Sequence, residues 1–160
     1  MTRDEKAAFN RRIVQSNATG IIVVLYDMML LDLKRGIEIL EKDKADYKAA
    51  NEELRHATQV LEHLKDALNF KYEISPNLFS LYDFCQRQIS QTMYKATTEG
   101  AREAEKILSS LGESFRKVAE ADKSAPVMQN TESVVAGMTY GRNDINEAME
   151  NYDRNRGFTV

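Results

Sequence analysis

From Ile21 to Leu31 the chain reads Ile-Ile-Val-Val-Leu-Tyr-Asp-Met-Met-Leu-Leu, with Asp27 as its one polar interruption, and it then becomes amphipathic in the same helical phase. At 100° per residue, Ile22, Leu25, Tyr26, Met29, Leu33, Ile37 and Leu40 form the broad stripe that a bundle helix turns to its core. Ile21, Val24, Met28 and Leu31 form a second stripe on a different face. A helix with two apolar faces must bury both, and a small bundle usually covers one of them. Something else has to cover the second.

The chain has 160 residues, 42% hydrophobic and 29% charged, which suits one globular domain with a real core. A formal charge of −3 without a clustered Lys/Arg stripe argues against nucleic acid or an anionic membrane as the main partner. The single cysteine, Cys85, excludes an internal disulfide framework and suits a reducing compartment. Residues 18–31 fall short of the ~20 needed to span a bilayer and contain Asp27. The mixed-charge opening Thr-Arg-Asp-Glu-Lys, with no small-residue cleavage site after the apolar run, does not read as a signal peptide. A cytoplasmic protein is expected.

Four helical patterns follow one another. The first spans about 18–42. The second, about 46–71, carries Leu54, Ala57, Leu61, Leu64 and Leu68 at alternating spacings of three and four. The third follows Ser75-Pro76, with Pro in the first turn and Ser as its cap, and aligns Leu78, Leu81, Tyr82, Cys85, Ile89, Met93 and Ala96. Gly100 interrupts the pattern, and a fourth helix runs to Asp122 with Ala101, Ala104, Leu108, Leu111, Phe115 and Val118 facing inward. Short links between long helices favour antiparallel neighbours, so the expected fold is all-α, an antiparallel up-down four-helix bundle over residues 18–122. Residues 1–17 hold scattered anchors, Phe9, Ile13 and Val14, and read as a flexible, loosely docked arm. Residues 123–160 are polar and read as a flexible tail, with at most a short helix between Gln129 and Met138 and a terminal Phe158-Thr159-Val160 of the kind captured through its carboxylate.

Catalysis finds little support. Glu53-Leu-Arg-His56 has the Glu-x-x-His spacing of a di-iron helix, but that centre needs a second such helix and two more inward carboxylates. The other histidine, His63, lies on the same helix, a rise of roughly 10 Å away, too far to share a metal. Cys85 sits on an apolar stripe with no histidine or basic residue one turn away, the setting of an inert thiol. No phosphate loop, Ser/His/Asp set or inward carboxylate pair is visible, so no metal, cofactor or catalytic residue is assigned.

Two segments carry a family resemblance. Leu25-Tyr26-Asp27, closing the apolar run, and Ile74-Ser-Pro-Asn77-Leu78-Phe-Ser-Leu81-Tyr82-Asp-Phe84, opening the third helix, resemble the FliS family of flagellar export chaperones for flagellin. The spacing of Asn51 to Leu54 and of Leu61 to Phe70 is similar too, and the likeness covers roughly residues 9–122. The chain departs from the family pattern before the first helix, where a Ser-Pro followed by an acidic residue is usual and Asn17-Ala18-Thr19-Gly20 stands instead. Asn17 can still cap that helix. The part beyond residue 122 is longer than the family's minimal form.

The resemblance implies a cytoplasmic antiparallel bundle that holds the C-terminal segment of flagellin until export, with the flagellar export gate as a further partner. Helices that assemble into a filament core are amphipathic, so an unassembled copy needs apolar grooves to cover it. One candidate groove is the stripe Ile21, Val24, Met28 and Leu31; another is the flank His56, Val60, His63, Ala67 and Phe70. Phe9, Ile13 and Val14 would fold back over the first stripe as a removable lid after a reversal near Asn17–Gly20. Leu78, Leu81 and Tyr82 are expected in the core, with the Tyr82 hydroxyl reaching the surface. Either groove could instead be ordinary helix packing or a contact between copies, and the chain is expected to be a monomer or a weak homodimer. A self-associating structural bundle and a metal-dependent bundle enzyme remain as alternatives.

Overall fold

A computed structural model describes residues 1–128. The sequence expectations for the segment from Gln129 to Val160 lie outside these residues. Among the described residues there are five α-helices and no strand: α1 (Arg3–Val14), α2 (Ala18–Leu40), α3 (Tyr47–Asp66), α4 (Ser75–Lys95) and α5 (Glu99–Ala121).

Helix α1, additional to the four expected, corrects the expectation of a loose N-terminal arm. Thr2 Oγ1 accepts the Glu5 N–H at 3.3 Å while the Glu5 carboxylate accepts the Thr2 N–H at 2.7 Å, a complete capping box that satisfies two donors at the helix start. Asp4 and Glu5 in the first turn and Arg11 and Arg12 in the last suit the helix dipole. The expectation rested on sparse apolar anchors, whereas polar chemistry at both ends builds this helix. Three residues past the end of α1, Asn17 accepts the Gly20 N–H at 2.8 Å and starts α2, as the sequence indicated.

The later helices start and stop for local reasons that shift several expected boundaries. Asp46 caps α3 through the N–H groups of Lys48 and Ala49. That helix stops at Asp66, short of residue 71, and Asn69 turns the chain by accepting the Lys71 N–H through its side chain. Ser75 does not cap α4; it is already the first helical residue, and its hydroxyl donates to the Asn69 carbonyl at 2.7 Å. Nor does Gly100 break a helix. The break is at Ala96, in the left-handed region at φ 54°, and Gly100 sits in the first turn of α5, where a Cβ would lie 2.5 Å from the Gln88 carbonyl oxygen of α4. Glycine there permits close approach of two helices.

α2 packs against α3 and α5, and α4 closes the ring against the same two helices, while α1 lies outside on α2. Along α2 and α3, Asp32 pairs with His56 and Gly36 abuts Leu54 and Ala50. Along α2 and α5, Asp27 pairs with Arg116 and Glu41 with Arg102. Tyr26, Met29, Leu33, Leu54, Leu61, Ile89 and Leu108 are fully buried, at roughly 1.5–3 kcal/mol of transfer free energy for each large apolar side chain. Ile22, Leu25 and Leu40 flank this core half-buried. Leu81 and Val118, expected inward, point outward at 37% and 55% exposure. The Tyr82 hydroxyl does not reach the surface but meets that of Tyr26 in the core, and Phe115 stacks on Tyr26 with ring centres 5.4 Å apart.

Candidate functional site

The site is the face of α2 that lies under α1. Two side chains of α2 hold α1 from opposite ends of that face. Asp27 accepts from Arg12 of α1 at 2.5 Å and from Arg116 of α5 at 2.6 Å, while Arg35 grips both carboxylate oxygens of Glu5. On a helical projection, Leu31, Val24, Arg35, Met28 and Ile21 follow Asp27 within an arc of about 120°. The second apolar stripe of α2 therefore shares the face that carries the two clasps, and Leu31 lies between them.

The cover is thin. No residue of α1 is fully buried, and Phe9, Ile13 and Val14 are each half-buried. Of the second stripe, Val24 is buried at 2% exposure, while Ile21, Met28 and Leu31 are half-buried. Within α1, Arg12 also lies over the Phe9 ring, 5.6 Å from its centre. The Arg35 guanidinium, with the Thr2 N–H, holds the Glu5 carboxyl down at about 2, so the clasp stays charged through any physiological pH. The two exposed-side pairs contribute little individually to stability and chiefly fix where α1 sits.

A polar cluster joins the start of α1 to α2 and α3. The Met1 ammonium donates to Glu53 Oε1 at 2.7 Å, and His56 Nδ1 pairs with Asp32 Oδ2. Asp32 is wholly buried, and burial pushes its carboxyl up to about 6 despite the histidine. Burial opposes ionisation of Glu53 as well, but the ammonium and Asp32 together keep its carboxyl below the usual range. Asp32 Oδ1 and Glu53 Oε2 have no hydrogen-bond partner. Two facing acid groups with orphan oxygens are the arrangement that shares one proton.

The second sequence-derived flank is dispersed by the fold. Val60 belongs to the core at 4% exposure, and His56 is committed to Asp32. His63 and Ala67 face solvent at the end of α3, and Phe70 lies beyond the helix, 59% exposed and tilted against Phe79 with ring centres 5.9 Å apart. The sequence reading missed Asp32, whose neighbours Leu31 and Leu33 drew attention to apolar periodicity, and Arg12 and Arg116, whose shared acceptor is visible only in three dimensions. The Thr2-to-Glu5 capping box was legible in the sequence and marks α1.

Among the described residues, no group of three or more His, Cys, Asp or Glu side chains is placed to hold a metal ion, and no helix is long and apolar enough to cross a membrane. Burial pushes the Cys85 thiol up to about 11, which leaves it protonated and unreactive. The fold and site define an all-helical protein built around a covered apolar helix face. A family model described as flagellar protein FliS matches residues 1–122, from the start of α1 to the residue that closes α5. The chain belongs to the FliS family and so takes a flagellar chaperone role. No curated protein gives a significant match to it.

Proposed function

We propose that this chaperone binds the C-terminal segment of flagellin in the cytoplasm, covers its apolar helical faces and keeps it from polymerising before export. In this reading α2 to α5 act as an antiparallel up-down bundle, and the client takes the place of α1 along Ile21, Val24, Met28 and Leu31. His63, Ala67 and Phe70 would extend the track past the end of α3, while His56 and Val60 would support it from within. The observation that carries the reading is that an apolar face of α2 is covered by a helix with no fully buried residue of its own. Such a cover is displaceable. An amphipathic client helix that buries more apolar surface on α2 than α1 does would win the exchange, since a conformational equilibrium moves only by differential affinity.

The test is calorimetric titration of the full chain with a peptide from the C-terminal end of its host's flagellin, beside sedimentation of the free chain. The expected result is a stoichiometric complex with a negative heat-capacity change from apolar burial. Absence of binding, together with concentration-dependent self-association of the free chain, would transfer the covered face to a contact between copies.

A further inference from the structure

The bend between α1 and α2 is held by the other end of the domain. After α5 the chain turns back and runs across this elbow: the Val127 N–H donates to the Ser16 carbonyl at 3.1 Å, and the Asn17 side-chain amide lies 3.3 Å from the carbonyls of both Asp122 and Ser124. From α2, the Thr19 hydroxyl donates to the Asp122 carboxylate at 2.7 Å. An open groove of about 360 Å³ lies beside the elbow against α5, lined by Gln15, Ser16, Gly20, Val23, Arg116 and Ala119 among others. Polar bonds to residues 122–127 therefore take part in fixing the elbow's angle.

We infer that residues 122–127 form a strap that pins the α1–α2 elbow and, through it, sets how often α1 swings away from α2. The same end of α5 also supplies Arg116 to Asp27, the acceptor of the Arg12 clasp, so elbow and clasp are both anchored on α5. α1 opens by pivoting at Gln15 and Ser16, while Asn17 to Gly20 stay tied to Asp122. The strap deepens the proposed client exchange and rests on it for its biological consequence, but its mechanical action on α1 stands apart from any client.

The Ser16 and Thr19 bonds can be removed without touching either apolar face. Val127→Pro deletes the N–H that reaches Ser16, at an exposed position, and Asp122→Ala deletes the acceptor for Thr19. Hydrogen exchange of the full-length double variant should show amides of α1 and those of Gly20 and Ile21 exchanging at least about threefold faster, with α3 and α4 unchanged. Arg12→Gln serves as the comparison: it removes the Asp27 clasp but leaves the Arg35 clasp and the strap, so α1 alone should exchange faster. If exchange in α1 and at the elbow is unaltered in the double variant while the bundle stays protected, the strap has no hold on α1 and the inference is wrong. Accelerated α1 exchange upholds the strap whatever flagellin peptide does; unchanged peptide affinity in that variant would then count against the lid reading alone, because relief of self-occlusion must raise apparent affinity. Where Asp122→Ala loosens the end of α5 itself, seen as faster exchange at Phe115 to Ala121, the Val127→Pro single variant decides: elbow amides that stay as slow as in the native chain overturn the strap.

Discussion

The hydroxyls of Tyr26 on α2 and Tyr82 on α4 lie 2.7 Å apart at the centre of the core, where neither side chain is more than 1% exposed. One phenol donates and the other accepts, and burial raises the pKa of both, so each stays protonated. Two facing helices are thereby matched by a polar pair that water cannot replace. Replacing either partner, Tyr26→Phe or Tyr82→Phe, strands the remaining hydroxyl and should cost about 1–2 kcal/mol. The double replacement removes both polar atoms and should cost little more than one single change. A double-mutant cycle on urea midpoints measures this coupling, and additive losses would show that the pair contributes nothing beyond its rings.

Asp32 makes stability depend on pH in an unusual direction. Its folded pKa, about 6, lies above the ordinary carboxylate value, so the folded state holds the proton more tightly. Its contribution is complete below the unfolded pKa and is lost as pH rises through 6. In Asp32→Asn the amide carbonyl can still accept from His56, and the new NH₂ supplies a donor for the orphan Glu53 oxygen. Asp32→Asn should therefore be more stable than the native chain by about 1 kcal/mol at pH 8, with the advantage shrinking towards pH 5. Denaturant curves at the two pH values check the trend; a variant that loses stability more at pH 8 than at pH 5 would show that ionised Asp32 is held favourably by His56.

Helices α2 to α5 were readable because burial imposes a period on the sequence, and Leu54, Ala57, Leu61 and Leu64 follow it without exception. Leu81 and Val118 match the period yet face water: Leu81 lies at the edge of the stripe that buries Leu78, Tyr82 and Cys85, and Val118 lies in the last turn of α5. The second stripe of α2 was visible as an excess of apolar residues, with Phe9, Ile13 and Val14 as its expected cover, but the polar hold on that segment was not. α1 is held by Glu5, Arg12, Asp27 and Arg35, charged residues separated by 15 to 30 positions, and charge pairing over such distances leaves no periodic trace. The strap across the elbow is more remote still, since Asn17 and Ser124 are 107 positions apart.

Met28 and Leu64 separate groove from core. Met28 is half-buried on the covered stripe, whereas Leu64 is 5% exposed inside the bundle. Met28→Glu should lower stability by about 1 kcal/mol or less, because α1 can lift and let the carboxylate stay hydrated. Leu64→Glu should cost several kcal/mol, about 3 or more, with neither water nor a partner available. Met28→Glu should also weaken flagellin-peptide binding at least about tenfold, equal to 1.4 kcal/mol of docking free energy. Equal losses of stability in the two variants would assign Met28 to the core and remove the stripe from the proposed client track.

Deleting α1 tests whether it shields or contributes. Without residues 1–14 the second stripe loses its cover along with the Glu5 and Arg12 clasps, while the bundle core, to which no α1 residue belongs, stays intact. Closed molecules cannot bind, so apparent affinity is reduced by the closed fraction, and removing the cover should tighten flagellin-peptide binding by about two- to tenfold, mostly through faster association. The uncovered face should also make the free chain more prone to associate, because a wetted stripe of four large side chains is a contiguous apolar surface. Titration and sedimentation of the truncated chain measure both effects. Weaker peptide binding without greater self-association would show that Phe9, Ile13 and Val14 contact the client directly, and α1 would then be part of the groove instead of its lid.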